Sequence, residues 1–196
     1  MRRAVLGVVA MLGVVVAASA WAETTLKTGE PAPHFTLTDQ RGKAYALSQY
    51  RGQVVLLDFW SAKCPVSARY EKRLQEIATT YAVKGVVTLG IDANQNESLA
   101  LIQQVAAERS VPFPILIDPG NQVADQFGGL TTPHVFVINA EGRVVYQGAV
   151  DDAGLKGSGP VTRQYLREAL DAALAGRPVA TPETEPFGCS IKRVAQ

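Results

Sequence analysis

The stretch VVLLDFWSAKCPVS, Val54 to Ser67, changes its hydrophobic period at Cys64. Ahead of the cysteine, VVLLDFW is a continuous β-rich run, the pattern of a strand covered on both faces. Behind it Tyr70, Leu74, Ile77 and Tyr81 recur at helical spacing, while Arg69, Lys72, Arg73 and Gln75 lie mostly off that face. A strand therefore runs directly into a helix, with Cys64 at the junction, where open α/β sheets place their chemistry. The unpaired N–H groups of a helix start favour a thiolate, Pro65 suits the first helical position, and Lys63 adds a positive charge. The Ser67 hydroxyl, one turn on, either donates to the thiolate or caps the helix. The plainer alternative is a small buried apolar residue, since thiols are often buried.

Upstream, HFTLTDQRGKAYALSQY reads as two short strands joined by a turn at Arg41-Gly42. After Gly85 comes a buried strand, VVTLGID, then a helix from Ser98 to Arg109 and a third strand in PFPILID. A short helical turn from Pro119 to Phe127 precedes a hairpin, HVFVINAEGRVVYQG, turning on Ala140-Glu141-Gly142. The closing helix is expected over Val161 to Leu174, stopping at Gly176. This order predicts an α/β fold with parallel strands first and an antiparallel pair last, over residues 23–178. Residues 179–196, VATPETEPFGCSIKRVAQ, have no periodicity and read as a Pro-rich tail carrying Cys189.

At 196 residues and 47% hydrophobic, the chain suits one domain with a real core. A net charge of +1 without a dense Lys/Arg block gives no footprint for nucleic acid. Residues 1–22 differ from the rest: MRR, an uncharged run from Ala4 to Ala20, and ASAWA before Glu23. That is the pattern of a cleaved signal peptide, so the expectation is a secreted or periplasmic protein that leaves the membrane after cleavage. A retained anchor is the alternative, because the run approaches the ~20 residues that span a bilayer. In an oxidising compartment, Cys64 and Cys189 are bonded or in use.

LLDFWSAKCPVS resembles the active-site stretch of the thioredoxin superfamily, in which Asp-Phe-Trp precedes Cys-x-x-Cys. GGLTTPHVFVINAEGRVVYQG is similar to that superfamily's cis-proline loop and hairpin, with Thr132-Pro133 at the cis peptide. FTLTDQRGKAYALSQYRGQVVLLDFW resembles the peroxiredoxin and TlpA-like branch, and CPVS, VDDAG and GCSIK together resemble exported redoxin proteins. The resemblance implies a thioredoxin-like fold, a central mixed sheet flanked by helices with an N-terminal β-hairpin extension. It also implies a thiol-disulfide oxidoreductase that acts on protein thiols or disulfides without a cofactor.

Carried onto this chain, the resemblance makes Cys64 the attacking cysteine and Asp58 the buried carboxylate that assists proton transfer, a role its apolar strand supports. Trp60, Lys63, Ser67, Thr132, Pro133 and His134 would contact the substrate. Two departures matter. Ser67 stands where the second cysteine belongs, so a mixed disulfide on Cys64 must be resolved by Cys189 or by an external thiol. Ser61 stands three residues before Cys64, but Leu57 takes the place of a peroxiredoxin proline, which leaves thiol peroxidase as a further alternative with an incomplete constellation. A tail of this length reaches ~25 Å as a random coil, so Cys189 can close on Cys64. A permanent disulfide and a free or intermolecular thiol remain open. A different class of function is metal binding, in which Cys64, His134 and Cys189 would hold copper or zinc in a metallochaperone-like site.

Overall fold

The structure, a computed structural model, describes residues 26–195, so the expected signal peptide lies outside the described residues. All six residues of strand β3 (Val54–Phe59) are buried, because layers cover both faces of the sheet. β4 (Val86–Asp92) and β5 (Ile115–Ile117) continue in parallel on one side of β3. The hairpin of β1 (Thr36–Asp39) and β2 (Ala44–Ala46) extends that side antiparallel to β5. On the other side, β7 (Val135–Ile138) and β8 (Val144–Gly148) run antiparallel. The seven-stranded order is β2-β1-β5-β4-β3-β7-β8. A two-stranded ladder of β6 (Thr131–Thr132) and β9 (Cys189–Ser190) stands beside it.

Alternation along β3 divides the core. Val54 and Leu56 pack with Tyr70, Leu74 and Ile77 of α1 (Pro65–Ala82) and with Leu166 and Leu170 of α4 (Tyr165–Leu174). Val55, Leu57 and Phe59 face the other way, onto Phe136 and onto Phe127 of α3 (Gln122–Phe127). A third cluster joins Trp60 and Phe113 to Ile102 and Val105 of α2 (Leu99–Glu108). Each large apolar side chain buried this way contributes about 1.5–3 kcal/mol, which holds the end of β3 rigid beneath Cys64.

Three expectations need correction. The closing helix starts at Tyr165 instead of Val161, because Asp152 already engages that stretch. Its carboxylate accepts the Thr162 N–H at 3.0 Å, and its own N–H donates to the Arg163 carbonyl at 3.3 Å. The strand in PFPILID shortens to Ile115–Ile117, as prolines at 112 and 114 cannot supply ladder donors. The tail is bound along the domain, where the sequence suggested a loose coil. It runs beside β8, with the Gln147 N–H donating to the Pro182 carbonyl and the Thr184 N–H to the Gln147 carbonyl. Gly148, at φ +140°, leaves room for Thr184, which a Cβ would strike. Beyond β9, Ile191 is buried in the β3–α3 core and Arg193 pairs with Asp125 at 2.9 Å.

Candidate active site

Cys64 is the N-cap of α1, with Pro65 at the first helical position. Its Sγ accepts the Ser67 N–H at 3.3 Å, one of the free amides of the helix start. Its own N–H donates to Ser61 Oγ at 2.9 Å. In the thiol form Sγ–H donates to the Thr132 carbonyl at 3.0 Å, beside the cis Thr132-Pro133 bond. The β6–β9 register sets Cys189 opposite Thr132, the residue whose carbonyl faces Cys64, and the Cys189 thiol reaches the Cys64 sulfur as a hydrogen-bond donor. Both cysteines are free thiols, Cys64 buried and Cys189 half-buried.

Their environments push the two thiols apart. Burial raises Cys64, but hydrogen bonds from the Cys189 thiol, from the Thr132 hydroxyl and from the Ser67 amide outweigh it and hold Cys64 below the ordinary cysteine value. Cys189 is raised, first by burial and then by its bond to Cys64 and by that group's charge. The pair therefore ionises at Cys64 while Cys189 keeps its proton as a donor.

Alternation puts Asp58 on the Val54 and Leu56 side of β3, the side that carries Cys64. Its carboxyl is fully buried and neither oxygen has a hydrogen-bond partner. Burial, then the charges of Glu71 and Cys64, hold it protonated well above the usual carboxylate range. Asp58 thus holds a proton on the face of the sheet that carries Cys64.

The other sequence candidates are distributed differently. Trp60 is fully buried, donates from Nε1 to Glu71 at 2.9 Å and lies 5.8 Å beneath the Arg109 guanidinium. It is core, out of reach of a substrate. The Lys63 ammonium is bonded to the Asn96 carbonyl, which turns its charge toward that loop and away from the thiol. Ser67 serves Cys64 through its amide, while its hydroxyl is buried without a partner. Thr132 and Pro133 do lie across from Cys64. His134 does not. The Phe59 N–H donates to its carbonyl, and its ring packs 4.5 Å from Phe136 on the opposite face of the sheet. There Nδ1 accepts the Leu130 N–H at 3.2 Å, and burial pushes the imidazole down to about 3. The metal set of Cys64, His134 and Cys189 is therefore not assembled, and among the described residues no group of three or more His, Cys, Asp or Glu is placed to hold an ion.

Sequence reasoning missed the support under the loop that leads into Cys64. The Glu97 carboxylate accepts the Ser61 hydroxyl at 2.5 Å, the Ala62 N–H at 2.7 Å and the Lys63 N–H at 3.2 Å. Asp92 beside it is pushed up to about 8, by burial first and then by Glu97. An acidic residue in a polar loop more than thirty positions away carries no local signal of this. The VDDAG stretch was likewise opaque. Asp151 accepts the Tyr70 hydroxyl at 3.1 Å and pairs with Arg73, fastening residues 151–157 to α1.

With this sheet order, and with a cysteine capping the helix that follows β3, the molecule is a thioredoxin-like α/β protein and an oxidoreductase built around a thiol. Residues 28–147 match the AhpC/TSA family, and the chain belongs to that family. Thiol-disulfide oxidoreductase ResA of Halalkalibacterium halodurans is 31% identical over 147 residues, 74% of this chain and 82% of the relative. A hypothetical protein from Sinorhizobium meliloti superposes with a TM-score of 0.81 at 31% identity, over 88% of this chain and 97% of that one. The thioredoxin domain of a thiol-disulfide oxidoreductase from Bacteroides vulgatus shares the fold with a TM-score of 0.55 at 23% identity, over 63% and 89% of the two chains.

Proposed function

We propose that this protein is an exported thiol-disulfide oxidoreductase that acts on protein thiols or disulfides, with Cys64 attacking and Cys189 resolving. The observation that carries this reading is the β6–β9 register, which sets Cys189 opposite the residue whose carbonyl receives the Cys64 thiol. The Cys64 thiolate attacks one sulfur of a substrate disulfide. A mixed disulfide forms, the substrate S–S bond breaks, and the departing thiolate takes up a proton, for which Asp58 is the nearby source. Cys189 then gives its proton to the Asp58 carboxylate, its thiolate attacks Cys64 Sγ, and the second substrate sulfur leaves as a thiolate that takes the proton back. The chain is left with a Cys64–Cys189 disulfide and the substrate with two thiols. Run backward, the same steps oxidise a dithiol, and neither direction requires a cofactor. Export rests on the N-terminal sequence pattern. No helix among the described residues is long and apolar enough to cross a membrane.

The experiment is a mass-spectrometric thiol count across a redox-buffer titration. The expected result is a reversible Cys64–Cys189 disulfide in the native chain and a stable mixed disulfide on Cys64 in Cys189→Ala. Two free thiols at every potential would overturn the reading.

A further inference from the structure

Cys64 is only 3% exposed, so no protein disulfide reaches its sulfur while the structure stays as it is. What covers it is the chain's own tail. Phe187 rests on Tyr70 with ring centroids 5.6 Å apart, Cys189 faces Cys64, and Cys189 and Ser190 pair with Thr132 and Thr131. An extended segment paired on an edge strand is how a bound peptide is held by main-chain bonds. The fit at position 188 is narrow. A Cβ there would fall on the Thr132 carbonyl group and come within 3.2 Å of the Pro133 nitrogen, all of it backbone that cannot step aside. The cover itself is a ladder of two residue pairs, whereas the chain beyond it is anchored more firmly. Ile191 is buried, and Lys192 is bonded to Asn94 and Gln95.

We propose that residues 187–190 are a displaceable internal strand occupying the place of a partner's cysteine-bearing strand, and that they are a template for it: an aromatic residue two positions before the cysteine and glycine immediately before it. This rests on the exchange chemistry proposed above and names the partner segment that chemistry acts on. Lifting the strand uncovers Cys64 and frees the edge of β6. An incoming segment meets the same Thr132 carbonyl, so a side chain before its cysteine is rejected as one at 188 would be.

The test uses the full chain with Cys189→Ala, which removes the competing thiol and keeps the strand. The probes are the peptides PFGCSIK and PFVCSIK, each activated at cysteine as a mixed disulfide with 2-thiopyridine. Cys64 thiolate attacks the peptide sulfur, the S–S bond to the pyridine breaks, a Cys64–peptide disulfide forms, and thiopyridone leaves and is read by absorbance. Gly188→Val and, separately, Ile191→Ser are added to loosen the strand, with circular dichroism to verify folding. Each is expected to speed the reaction with PFGCSIK by about tenfold or more, as for a local opening made easier. In the loosened proteins PFGCSIK is expected to outrun PFVCSIK by a similar factor. Equal rates for the two peptides overturn the template. Iodoacetamide labelling of Cys64 reports uncovering without exchange chemistry, so unchanged labelling in both folded variants overturns the displaceable strand. Faster labelling with no attack on either peptide overturns the exchange reading instead, and the template with it.

Discussion

At the end they share, β3 and the residue that leads into β7 carry one titratable group on each face of the sheet. Asp58 faces α1 and Cys64, while His134, bonded through its carbonyl to Phe59, faces the aromatic layer of Phe59 and Phe136. Burial does the same thing to both, forcing each toward its neutral form. Only one of them has a thiol beside it. Burial alone therefore makes a group silent, and the exchange proposed above uses the one that shares its face of the sheet with Cys64.

The largest effect that tests this contrast is on activity. Cys64→Ser should abolish disulfide exchange in a dithiol-turnover assay, whereas His134→Phe should stay within a few-fold of the native rate. A large loss in the second would show that both faces take part. The aromatic layer is instead a matter of stability. Phe136→Ala should cost about 3–5 kcal/mol in urea unfolding, the usual price of emptying a buried ring site.

Next in size is the pH dependence of stability. Asp58 has a folded value raised above the ordinary 3.8, so the folded chain binds its proton more tightly and stability falls as pH rises from about 4 through the folded value. Asp92 adds a similar loss that is complete near 8. Asp58→Asn should remove its share and raise the neutral-pH melting point by roughly 2–4 °C for each kcal/mol recovered, while slowing exchange. His134 runs in the opposite sense. Its folded value is depressed to about 3, so its contribution is present above 6.5 and is lost as pH falls through that window. Melting curves from pH 3 to 9 for Asp58→Asn and His134→Phe separate the two faces. A high-pH slope unchanged by Asp58→Asn would contradict the assignment.

The smallest effects concern the thiol itself. The Cys189 hydrogen bond leads the influences that lower Cys64, so Cys189→Ala should move the midpoint of Cys64 alkylation to higher pH. Lys63→Gln should barely move it, because that ammonium is engaged with Asn96. A shift of the same size in both would mean that the lysine acts on the thiol after all.

The strand-to-helix junction was legible because everything that forms it lies within about 30 residues: the apolar run, the change of period, Pro65 and the helical stripe. Asp58 and Cys64 followed from it. Trp60, Lys63 and His134 were misplaced because each sits beside the site in sequence while its side chain is directed by a distant partner, respectively Glu71, Asn96 and Phe136. Glu97 is the converse, remote in sequence and bonded to residues 61–63 just before Cys64.

The sequence by itself determined the α/β order, a cysteine at a helix start, a carboxyl on the strand beneath it and the presence of a second thiol. Local periodicity and helix-end chemistry need no distant contacts, so one segment is enough to read them. Only the tertiary structure decided where that second thiol goes. The tail has no period of its own. Its place comes from backbone pairing with Thr131 and Thr132, from Ile191 in the core and from the room left at Gly188, contacts that exist only once the rest of the chain has folded.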